Sequence, residues 1–364
     1  MTTTDRATSP RVEIEASKKD RGLDAGSMAA WNAWRKRKLS TGQRLRDRVL
    51  RWYVQKELPK FGEELTRRAR LMDMGWWNDA PRVEMHDRFF GHRVRLNPRD
   101  FYHRIWWYFG SYHELEILSV LRLALRPGDA FVDGGANIGL ITMHAAGLVG
   151  PTGRVQSFEP FPPIFDELKF HVEANGLSQV EIFRAGLSDA PSEMEIRLPG
   201  EGNLAAATFS PIPDRYHGVV ESGGVVPILR GDDVIDLEDR RPLLIKLDVE
   251  GFEVKAICGL PRVIEKRLPA FVAEANAELL DINGTPPELM WDMFVRVGYG
   301  VYAMDRGGFR SRHRLWLHPV PREWVRHERD LVFVHPGSQM WARFKDAIQP
   351  PGRYWKHLGV APGK

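Results

Sequence analysis

Residues 131–140 read FVDGGANIGL, an apolar run that ends in an acid and continues into a turn with three glycines. A buried strand that leads into a glycine turn and then a helix is a common nucleotide site in α/β sheets. Asp133 stands at the end of this strand, where its charge would repel the phosphates that most nucleotides carry. The stretch therefore predicts a nucleotide ligand whose nearest part is positively charged.

The glycine spacing separates the nucleotide classes. The dinucleotide fingerprint G-x-G-x-x-G is not matched, because Ala136 stands where its second glycine belongs. A phosphate-binding P-loop is excluded, since no Lys-Ser/Thr pair follows the last glycine. The remaining pattern, acid-x-Gly-x-x-x-Gly, consists of Asp133, Gly135 and Gly139. This pattern suits a positive head such as the ammonium and sulfonium of S-adenosylmethionine.

Two more acids follow at the ends of the next predicted strands. Glu159 lies 20 residues after Gly139, where its carboxylate could accept hydrogen bonds from both ribose hydroxyls of a nucleotide. Asp189, in the segment AGLSD after the third strand, is placed to meet an adenine amino group. Because parallel strands end at one edge of a sheet, Asp133, Glu159 and Asp189 are expected to line one crevice.

Downstream of Arg126 the sequence alternates between strand-like and helix-like segments. The predicted strands are 130–133, 155–159, 181–185, 243–248, 270–275, 300–304 and 331–335, and the predicted helices are 138–148, 163–175, 252–266 and 287–297. The alternation predicts an α/β fold, with a mostly parallel sheet covered by helices on both faces. Residues 189–235, rich in Gly and Pro, interrupt the rhythm and are predicted to form a substrate-covering insertion.

The regions outside this alternation have a different character. Residues 1–28 are polar and predicted to be disordered, residues 29–111 to form a basic and aromatic helical extension, and residues 341–364 to form a C-terminal tail. Residues 31–56 carry nine Lys or Arg against one acid, Asp47. The favoured interpretation packs Trp52 and Tyr53 on the catalytic domain with the arginines facing water. The alternative is peripheral contact with an anionic membrane.

Composition limits the class of protein. The 364 residues are 43% hydrophobic, enough for a substantial core. A single cysteine, Cys258, excludes an intramolecular disulfide, fits a reducing compartment and is expected to be a small core residue. With no apolar run of 18 residues and no signal peptide, a cytoplasmic protein is expected, peripheral at the inner face of the membrane in the alternative above. No nucleic-acid partner is expected, and the oligomeric state is left open.

Several segments together resemble the FkbM family of S-adenosylmethionine-dependent methyltransferases. They are FVDGGANIG, SFEPFPPIFDEL, AGLSD, LLIKLDVEGFEVKAICG, FVAEANAE and LVFVHP. The likeness runs from about Tyr112 to Pro336, and the methyltransferase domain is assigned to residues 112–340. It implies the class I, Rossmann-like methyltransferase fold with a seven-stranded, mostly parallel sheet, and methyl transfer to oxygen, commonly a hydroxyl of a sugar or a polyketide.

The resemblance also implies roles for individual residues. The methionine part of S-adenosylmethionine would be held by the turn, the ribose by Glu159 and the adenine side by Asp189. The residues of the turn expected to bind the cofactor are Asp133, Gly134, Gly135, Asn137 and Gly139. Asn137 replaces a glycine that the family usually has at this position. The resemblance implies nothing about the first 110 or so residues.

The segment IKLDVEGFE after the fourth strand holds the candidate catalytic residues. A hydroxyl that accepts a methyl group must lose its proton, and a positioned base accelerates such a step. Asp248 is the first candidate for orienting or deprotonating the hydroxyl, Glu250 is the second, and Glu274 could join them. The same three carboxylates could instead hold a divalent cation, although a site without metal is favoured.

Other polar residues near this segment have simpler interpretations. Lys246 is expected to pair with a neighbouring acid, and Glu253 to be a favourable charge at a helix N-terminus. His144 and His171 lie in predicted helices and are interpreted as packing or surface residues. His217 in the insertion is an alternative base.

The leading hypothesis is an O-methyltransferase that acts on a hydroxyl of a sugar, glycan or glycolipid. A polyketide or other small-molecule hydroxyl is the alternative acceptor. A nicotinamide-dependent dehydrogenase is a different class on the same sheet, disfavoured by Asp133 and Ala136. A non-catalytic S-adenosylmethionine-binding module is a third class, disfavoured by the carboxylates after the fourth strand.

Overall fold

The computed structural model describes residues 25–58, 62, 65, 68–198, 207–211, 221–306 and 314–350. Most of the predicted disordered tail, the end of the C-terminal tail and the candidate base His217 lie outside the described residues. Within those residues, no helix is both long and apolar enough to cross a membrane.

The N-terminal region contains helices and one hairpin. Its elements are α1 (Ala25–Lys38), α2 (Thr41–Gln55), α3 (Met74–Trp77), β1 (Val83–His86), β2 (Arg93–Leu96) and α4 (Phe101–Phe109). Residues 25–28, predicted as disordered, are helical. The antiparallel β1–β2 hairpin was not predicted. Its strands contain charged residues that are not typical of buried strands. The buried Glu84 is accommodated because it forms a 2.7 Å ion pair with Arg93 on the other strand.

The following α/β region carries the remaining elements. Its strands are β3 (Ala130–Gly134), β4 (Arg154–Phe158), β5 (Val180–Phe183), β6 (Gly186–Ser188), β7 (Ser192–Leu198), β8 (Glu221–Arg230), β9 (Leu243–Leu247), β10 (Ala270–Glu274), β11 (Gly300–Asp305), β12 (Trp316–Pro319) and β13 (Asp330–Val334). Its helices are α5 (Leu115–Ala124), α6 (Leu140–Val149), α7 (Pro162–Ala174), α8 (Gly231–Val234), α9 (Glu253–Cys258), α10 (Pro261–Arg267), α11 (Ala277–Ile282), α12 (Pro287–Arg296) and α13 (Trp341–Phe344), with 3-10 turns at Arg322–His327 and Lys345–Ala347.

In the described part of the chain, eight strands form the central sheet in the order β12-β11-β13-β10-β9-β3-β4-β5. The strands from β10 to β5 run parallel, whereas β13 is antiparallel to both of its neighbours and β12 to β11. Every residue of β3, β9 and β10 is buried, as expected of parallel strands covered on both faces. Seven strands match the prediction. The eighth, β12, is an edge strand of four residues that the sequence analysis missed.

The chain winds outward from β3 in both directions, so β3 and β9 flank the point where the strand order reverses. In open α/β sheets, ligands bind outside the carboxyl ends of the strands at such a point. A ligand site is therefore expected at the loops that follow β3, β4 and β9.

The predicted insertion forms a small second sheet in the order β6-β8-β7. Its described residues 207–211 return to the domain, where the hydroxyls of Thr208 and Ser210 donate to the carbonyl of Glu250 at 2.8 and 2.9 Å. The insertion thus contacts the loop after β9.

Two other local predictions are corrected by the structure. The helix predicted over 252–266 is divided into α9 and α10 at Gly259, where a Cβ would clash with the carbonyl of Ser188. Cys258, predicted as a core residue, is exposed at the end of α9. Residues 341–350, assigned to the C-terminal tail, contain α13 and the fully buried Phe344.

The N-terminal region shares one hydrophobic core with the α/β domain, to which it contributes Trp31, Trp77 and Trp107. A histidine on α7 joins the two parts. The amide of Arg95 in β2 donates to His171 Nε2 at 2.8 Å, so the ring carries its proton on Nδ1 and donates it to the carbonyl of Ile138 at 2.7 Å. Burial lowers the pKa of His171 to about 4. The neutral ring therefore links the N-terminal hairpin to the glycine turn.

We predict that His171→Ala lowers the free energy of unfolding by about 2–4 kcal/mol, because it leaves the Arg95 amide and the Ile138 carbonyl without partners. Denaturant unfolding followed by circular dichroism measures the change. The control is Lys169→Ala on the same helix, whose side chain is half exposed and should alter the free energy by less than about 0.5 kcal/mol. Equal losses for the two variants would contradict the role assigned to the ring.

Candidate active site

A cavity opens at the carboxyl ends of β3, β4 and β9, with a volume of about 1070 Å³ including its open mouth. Its described lining comes from the segment before β3, the glycine turn, the ends of β4 and β5, the insertion, the loop after β9 and the start of β13. These residues are Tyr102, Trp106, Tyr112, His113, Glu114, Gly135, Ala136, Asn137, Ile138, Leu140, Ile141, Phe158, Glu159, Pro160, Ile164, Ala185, Gly186, Leu187, Ala207, Phe209, Lys246, Asp248, Val249, Glu250 and Arg329.

The glycine turn is shaped first by its contact with β9. Gly135 has φ +74°, and a Cβ at this position would lie 1.8 Å from the carbonyl oxygen of Asp248. Glycine is therefore required at this position because two strand ends meet here. Gly135 and Asn137, which has φ +50°, both line the cavity. Gly134 and Gly139 instead face Leu247 and Leu168, so these two glycines support the turn from behind.

A buried lysine ties this turn to β9. Lys246 Nζ lies 3.3 Å from Asp133 Oδ1 and 3.3 Å from Asp248 Oδ2, and it donates to the carbonyl of Gly135 at 2.9 Å. Burial opposes the charge of Lys246, but Asp248 and Asp133 outweigh it and raise its pKa. The ammonium therefore stays charged between two carboxylates. The ion pairs predicted for Lys246 are present.

Asp133 does not reach the cavity surface. It is fully buried, and in addition to Lys246 it accepts a 2.7 Å hydrogen bond from Thr142 Oγ1. Burial raises the pKa of Asp133, while Lys246 and Thr142 work to lower it. The structure thus replaces the predicted direct contact between Asp133 and a ligand with an ion pair, so any influence of its charge on a ligand passes through Lys246.

Glu159 lies in the cavity at the end of β4. Its Oε2 accepts from the amide of Asn137 and its Oε1 from the amide of Phe161, both at 2.9 Å. Burial nevertheless raises the pKa of Glu159 to about 7. Each oxygen keeps one more lone pair for a donor. A carboxylate held in this way could accept the two hydroxyls of a ribose, which is the role predicted for it.

Asp189 is exposed and lies apart from the described residues that line the cavity. The chain leaves the main sheet after Phe183 and enters β6, which carries Asp189 towards α9. Burial of the Cys258 thiol raises its pKa, and the nearby charge of Asp189 raises it further. The contact with adenine predicted for Asp189 is therefore not supported by its position. Apolar atoms of Ala185 and Leu187 occupy the cavity wall at this place.

Two of the three candidate catalytic carboxylates face the cavity from the loop after β9. Asp248 is about one quarter exposed, at 28%, and pairs with Lys246. Glu250 has φ +52°, a strained conformation of the kind that persists where a loop is held in place for function. Burial, and then the charges of Asp248 and Glu253, raise the pKa of Glu250 to about 8. At neutral pH the Glu250 side chain is therefore mostly protonated.

Glu253 turns back into its own loop. Its carboxylate accepts from the amides of Val249 at 2.8 Å and of Gly251 at 3.1 Å. This contact fixes the backbone that presents Asp248 and Glu250, which is more than the favourable helix charge that the sequence indicated.

Glu274, the third candidate, lies behind the cavity lining. It is buried, and one of its oxygens accepts from Arg329 Nε at 3.2 Å. Burial raises its pKa well above the usual value. Arg329 itself lines the cavity, so Glu274 acts on the site through that arginine. No three His, Cys, Asp or Glu side chains among the described residues are grouped so as to hold a metal ion, and the trio of Asp248, Glu250 and Glu274 is not brought together as one.

One wall of the cavity consists of residues that were not predicted from the sequence. Tyr102 and Trp106 come from α4, and Tyr112, His113 and Glu114 from the link to α5. Tyr112 donates its hydroxyl to Glu114 at 2.6 Å, and burial raises the pKa of Tyr102 to about 12. The signal was present in the density of aromatic residues in FYHRIWWYFGSYHE, which exceeds what a surface extension needs.

The strand order, together with a cavity at the reversal point, defines an α/β protein of the class I methyltransferase fold. Residues 133–299 match the family model described as the methyltransferase FkbM domain. Over these residues the match confirms the resemblance to the FkbM family that the sequence motifs indicated.

Two curated relatives extend the comparison. The chain is 26% identical over 218 residues to the AMB antimetabolite synthetase AmbE of Pseudomonas aeruginosa. The aligned residues make up 51% of this chain and 10% of the synthetase. The chain is also 24% identical over 157 residues to the hexuronic acid methyltransferase AglP of Haloferax volcanii, which covers 42% of this chain and 58% of that enzyme. The chain thus spans less than two thirds of the length of either relative.

Solved structures with partial likeness include two methyltransferases. Methyltransferase FkbM from Methylobacillus flagellatus shares 16% identity, with 65% of this chain and 53% of that chain covered and a TM-score of 0.34. A SAM-dependent O-methyltransferase from Thermotoga maritima shares 14% identity, with 62% and 65% covered and a TM-score of 0.33.

We predict that Gly135→Ala lowers the free energy of unfolding by about 3 kcal/mol or more, since the new methyl group would clash with the Asp248 carbonyl. The matched control is Gly176→Ala, because Gly176 also has a positive φ, +60°, but has open space around its Cα. There only backbone strain is added, about 1–2 kcal/mol. Chemical denaturation of both variants makes the comparison, and equal losses would show that the strand contact is not tight.

Proposed function

We propose that this protein is an S-adenosylmethionine-dependent O-methyltransferase that acts on a hydroxyl group of a sugar, free or within a glycan or glycolipid. One observation carries the proposal. Glu159 and the pair Asp248 and Glu250 face the same cavity from the ends of different strands. This arrangement supports a nucleoside bound at Glu159 and an acceptor bound at the other two carboxylates.

The charges of the cavity fit a cationic cofactor. Its lining contains four carboxyl groups, of Glu114, Glu159, Asp248 and Glu250, against the cations Lys246 and Arg329. The cavity becomes more negative as pH rises through 7 and 8, where Glu159 and then Glu250 ionise. S-adenosylmethionine, when bound, supplies an electrophilic methyl group on a sulfonium. Glu159 would hold the ribose, and the turn at Gly135 and Asn137 would hold the methionine end. The apolar surface of Ala185 and Leu187 would meet the adenine.

The acceptor side is formed by the carboxylates and the aromatic wall. Asp248, held by Lys246, orients the acceptor hydroxyl. Burial and the neighbouring acids raise the pKa of Glu250 to about 8, so Glu250 takes the hydroxyl proton most effectively above this pH, where its carboxyl group is ionised. Alignment of the hydroxyl contributes as well, because positioning alone can lower a barrier by about 7–11 kcal/mol.

Two observations support a sugar as the acceptor. Tyr102, Trp106 and Tyr112 line the cavity beside polar groups, and such a mixed aromatic and polar lining suits a ring that has both C–H faces and hydroxyls. The relative from Haloferax volcanii is, by its name, a hexuronic acid methyltransferase. A polyketide hydroxyl is the competing acceptor.

The direct test is a product screen by mass spectrometry, in which the purified protein and S-adenosylmethionine are incubated with sugars, glycans, glycolipids and hydroxylated polyketides. The proposal expects a methyl ether on a sugar hydroxyl together with S-adenosylhomocysteine. Turnover with polyketides alone would show that the acceptor is a polyketide and not a sugar. The absence of turnover with every acceptor would contradict the proposal that the protein is a methyltransferase.

We expect S-adenosylmethionine to bind about tenfold more tightly at pH 8 than at pH 6, because Glu159 must ionise and burial raises its pKa to about 7. Below pH 7 the carboxyl is protonated and binding must first remove that proton. Glu159→Gln should weaken binding about 10- to 100-fold at pH 8 and remove its own share of the pH dependence. Calorimetry on the native protein, Glu159→Gln and the exposed control Glu193→Gln measures this. Identical pH profiles for native protein and Glu159→Gln would exclude the ribose role.

The roles proposed for Asp248 and Glu250 are tested by the rate of methyl transfer. If Asp248 orients the hydroxyl and Glu250 accepts its proton, Asp248→Asn and Glu250→Gln should each lower kcat by about 10²-fold, with little change in cofactor affinity. The native kcat should rise with pH and level off above about 8, where Glu250 is ionised, and this rise should vanish in Glu250→Gln. Stopped assays from pH 6 to 9 give the profiles. A native kcat that does not vary with pH would remove Glu250 as the base.

A further inference from the structure

Helix α2 carries apolar residues on two opposite faces. Leu50 and Val54 are buried in the core of the N-terminal region. Leu45, Val49 and Trp52 are 59%, 53% and 55% exposed, and their spacing of four and then three residues places them in one line on the other face. These three residues are here called the apolar stripe. The favoured prediction that Trp52 packs on the catalytic domain is therefore wrong.

The apolar stripe borders a groove. Leu45 and Val49 form part of its wall, together with Leu50, Trp76 and Tyr108, and the groove encloses about 1700 Å³ that is open to solvent. The core face of α2 already anchors the helix, so the stripe is not needed for folding. Contiguous exposed apolar surface of this kind marks an interaction site.

The charge around the apolar stripe is positive. Arg46 and Arg48 are exposed on its two sides, and Lys56 is exposed just beyond the helix end. Arg68 and Arg70 line the groove. The one acid of α2 is Asp47, which is engaged by Arg35 and Tyr108 and so does not offset these charges at the surface.

We propose that α2 is a docking surface for an anionic phospholipid membrane, with the apolar stripe inserted among the acyl chains and the arginines against the headgroups. An amphipathic helix with apolar residues flanked by arginine has the chemistry for this partner. Nucleic acid fits less well, because three large apolar side chains gain nothing beside a phosphate backbone.

The position of α2 connects this surface to the cavity. Arg51 stacks on Trp107 of α4, with its guanidinium carbon 3.9 Å from the ring centroid, and Tyr108 of α4 bonds to Asp47. The same α4 provides Tyr102 and Trp106 to the cavity wall. Docking through α2 would hold the aromatic wall one helix away from the membrane.

The test is sedimentation of the full chain with phosphatidylcholine vesicles that contain either no anionic lipid or about 30% phosphatidylglycerol. The protein should sediment with the anionic vesicles only, and less so as salt is raised. The double change Val49→Ser and Trp52→Ser should weaken binding by at least about tenfold. Arg46→Gln and Arg48→Gln should each weaken it about fivefold.

Matched controls are the exposed Val225→Ser on β8 and Arg262→Gln on α10, which should bind as the native chain does. The melting temperatures of all variants should equal that of the native chain. The proposal is overturned if the native protein does not sediment with anionic vesicles, or if the control variants lose as much binding as the stripe and arginine variants. It is also overturned if the stripe variants melt earlier, which would place the stripe inside the fold, or if they convert a native dimer to a monomer.

Discussion

The buried ammonium of Lys246 is the interaction on which the site depends. It joins Asp133 at the end of β3, Asp248 at the end of β9 and the carbonyl of Gly135 between them. Breaking such a buried pair leaves an uncompensated charge, which is more costly than the pair is favourable. The lack of a side chain at Gly135 lets the two strand ends approach closely enough for one lysine to reach both. The turn proposed to bind the cofactor and the loop proposed to bind the acceptor are thus joined by this lysine as well as by the pairing of β3 with β9.

The N-terminal region is part of this site and not an appendage to it. Its helix α4 supplies an aromatic wall, and its hairpin reaches the glycine turn through the neutral ring of His171. The family match covers residues 133–299 and therefore excludes this wall. The cavity is therefore lined in part by residues outside the matched segment.

The sequence was informative where local pattern decides the structure. The strands that contain Asp133 and Lys246 are buried on both faces and are therefore continuously apolar, so each could be predicted from its own residues. The sequence was less informative where the structure depends on contacts between residues that are far apart in the chain. The β1–β2 hairpin was hidden because Glu84 and Arg93 neutralise each other only once the strands pair. Asp189 follows the correct strand, yet the path into β6 carries it away from the cavity, and no local pattern reports that path.

The central claim is that one cavity holds a nucleoside at Glu159 beside an acceptor at Asp248. A crystal structure of the protein with S-adenosylhomocysteine tests it most directly. The account predicts electron density in this cavity, with the ribose hydroxyls within hydrogen-bond distance of Glu159 and the sulfur on the side of the turn that faces Asp248. A ligand bound at saturating concentration anywhere else, or a ribose directed away from Glu159, would contradict the account.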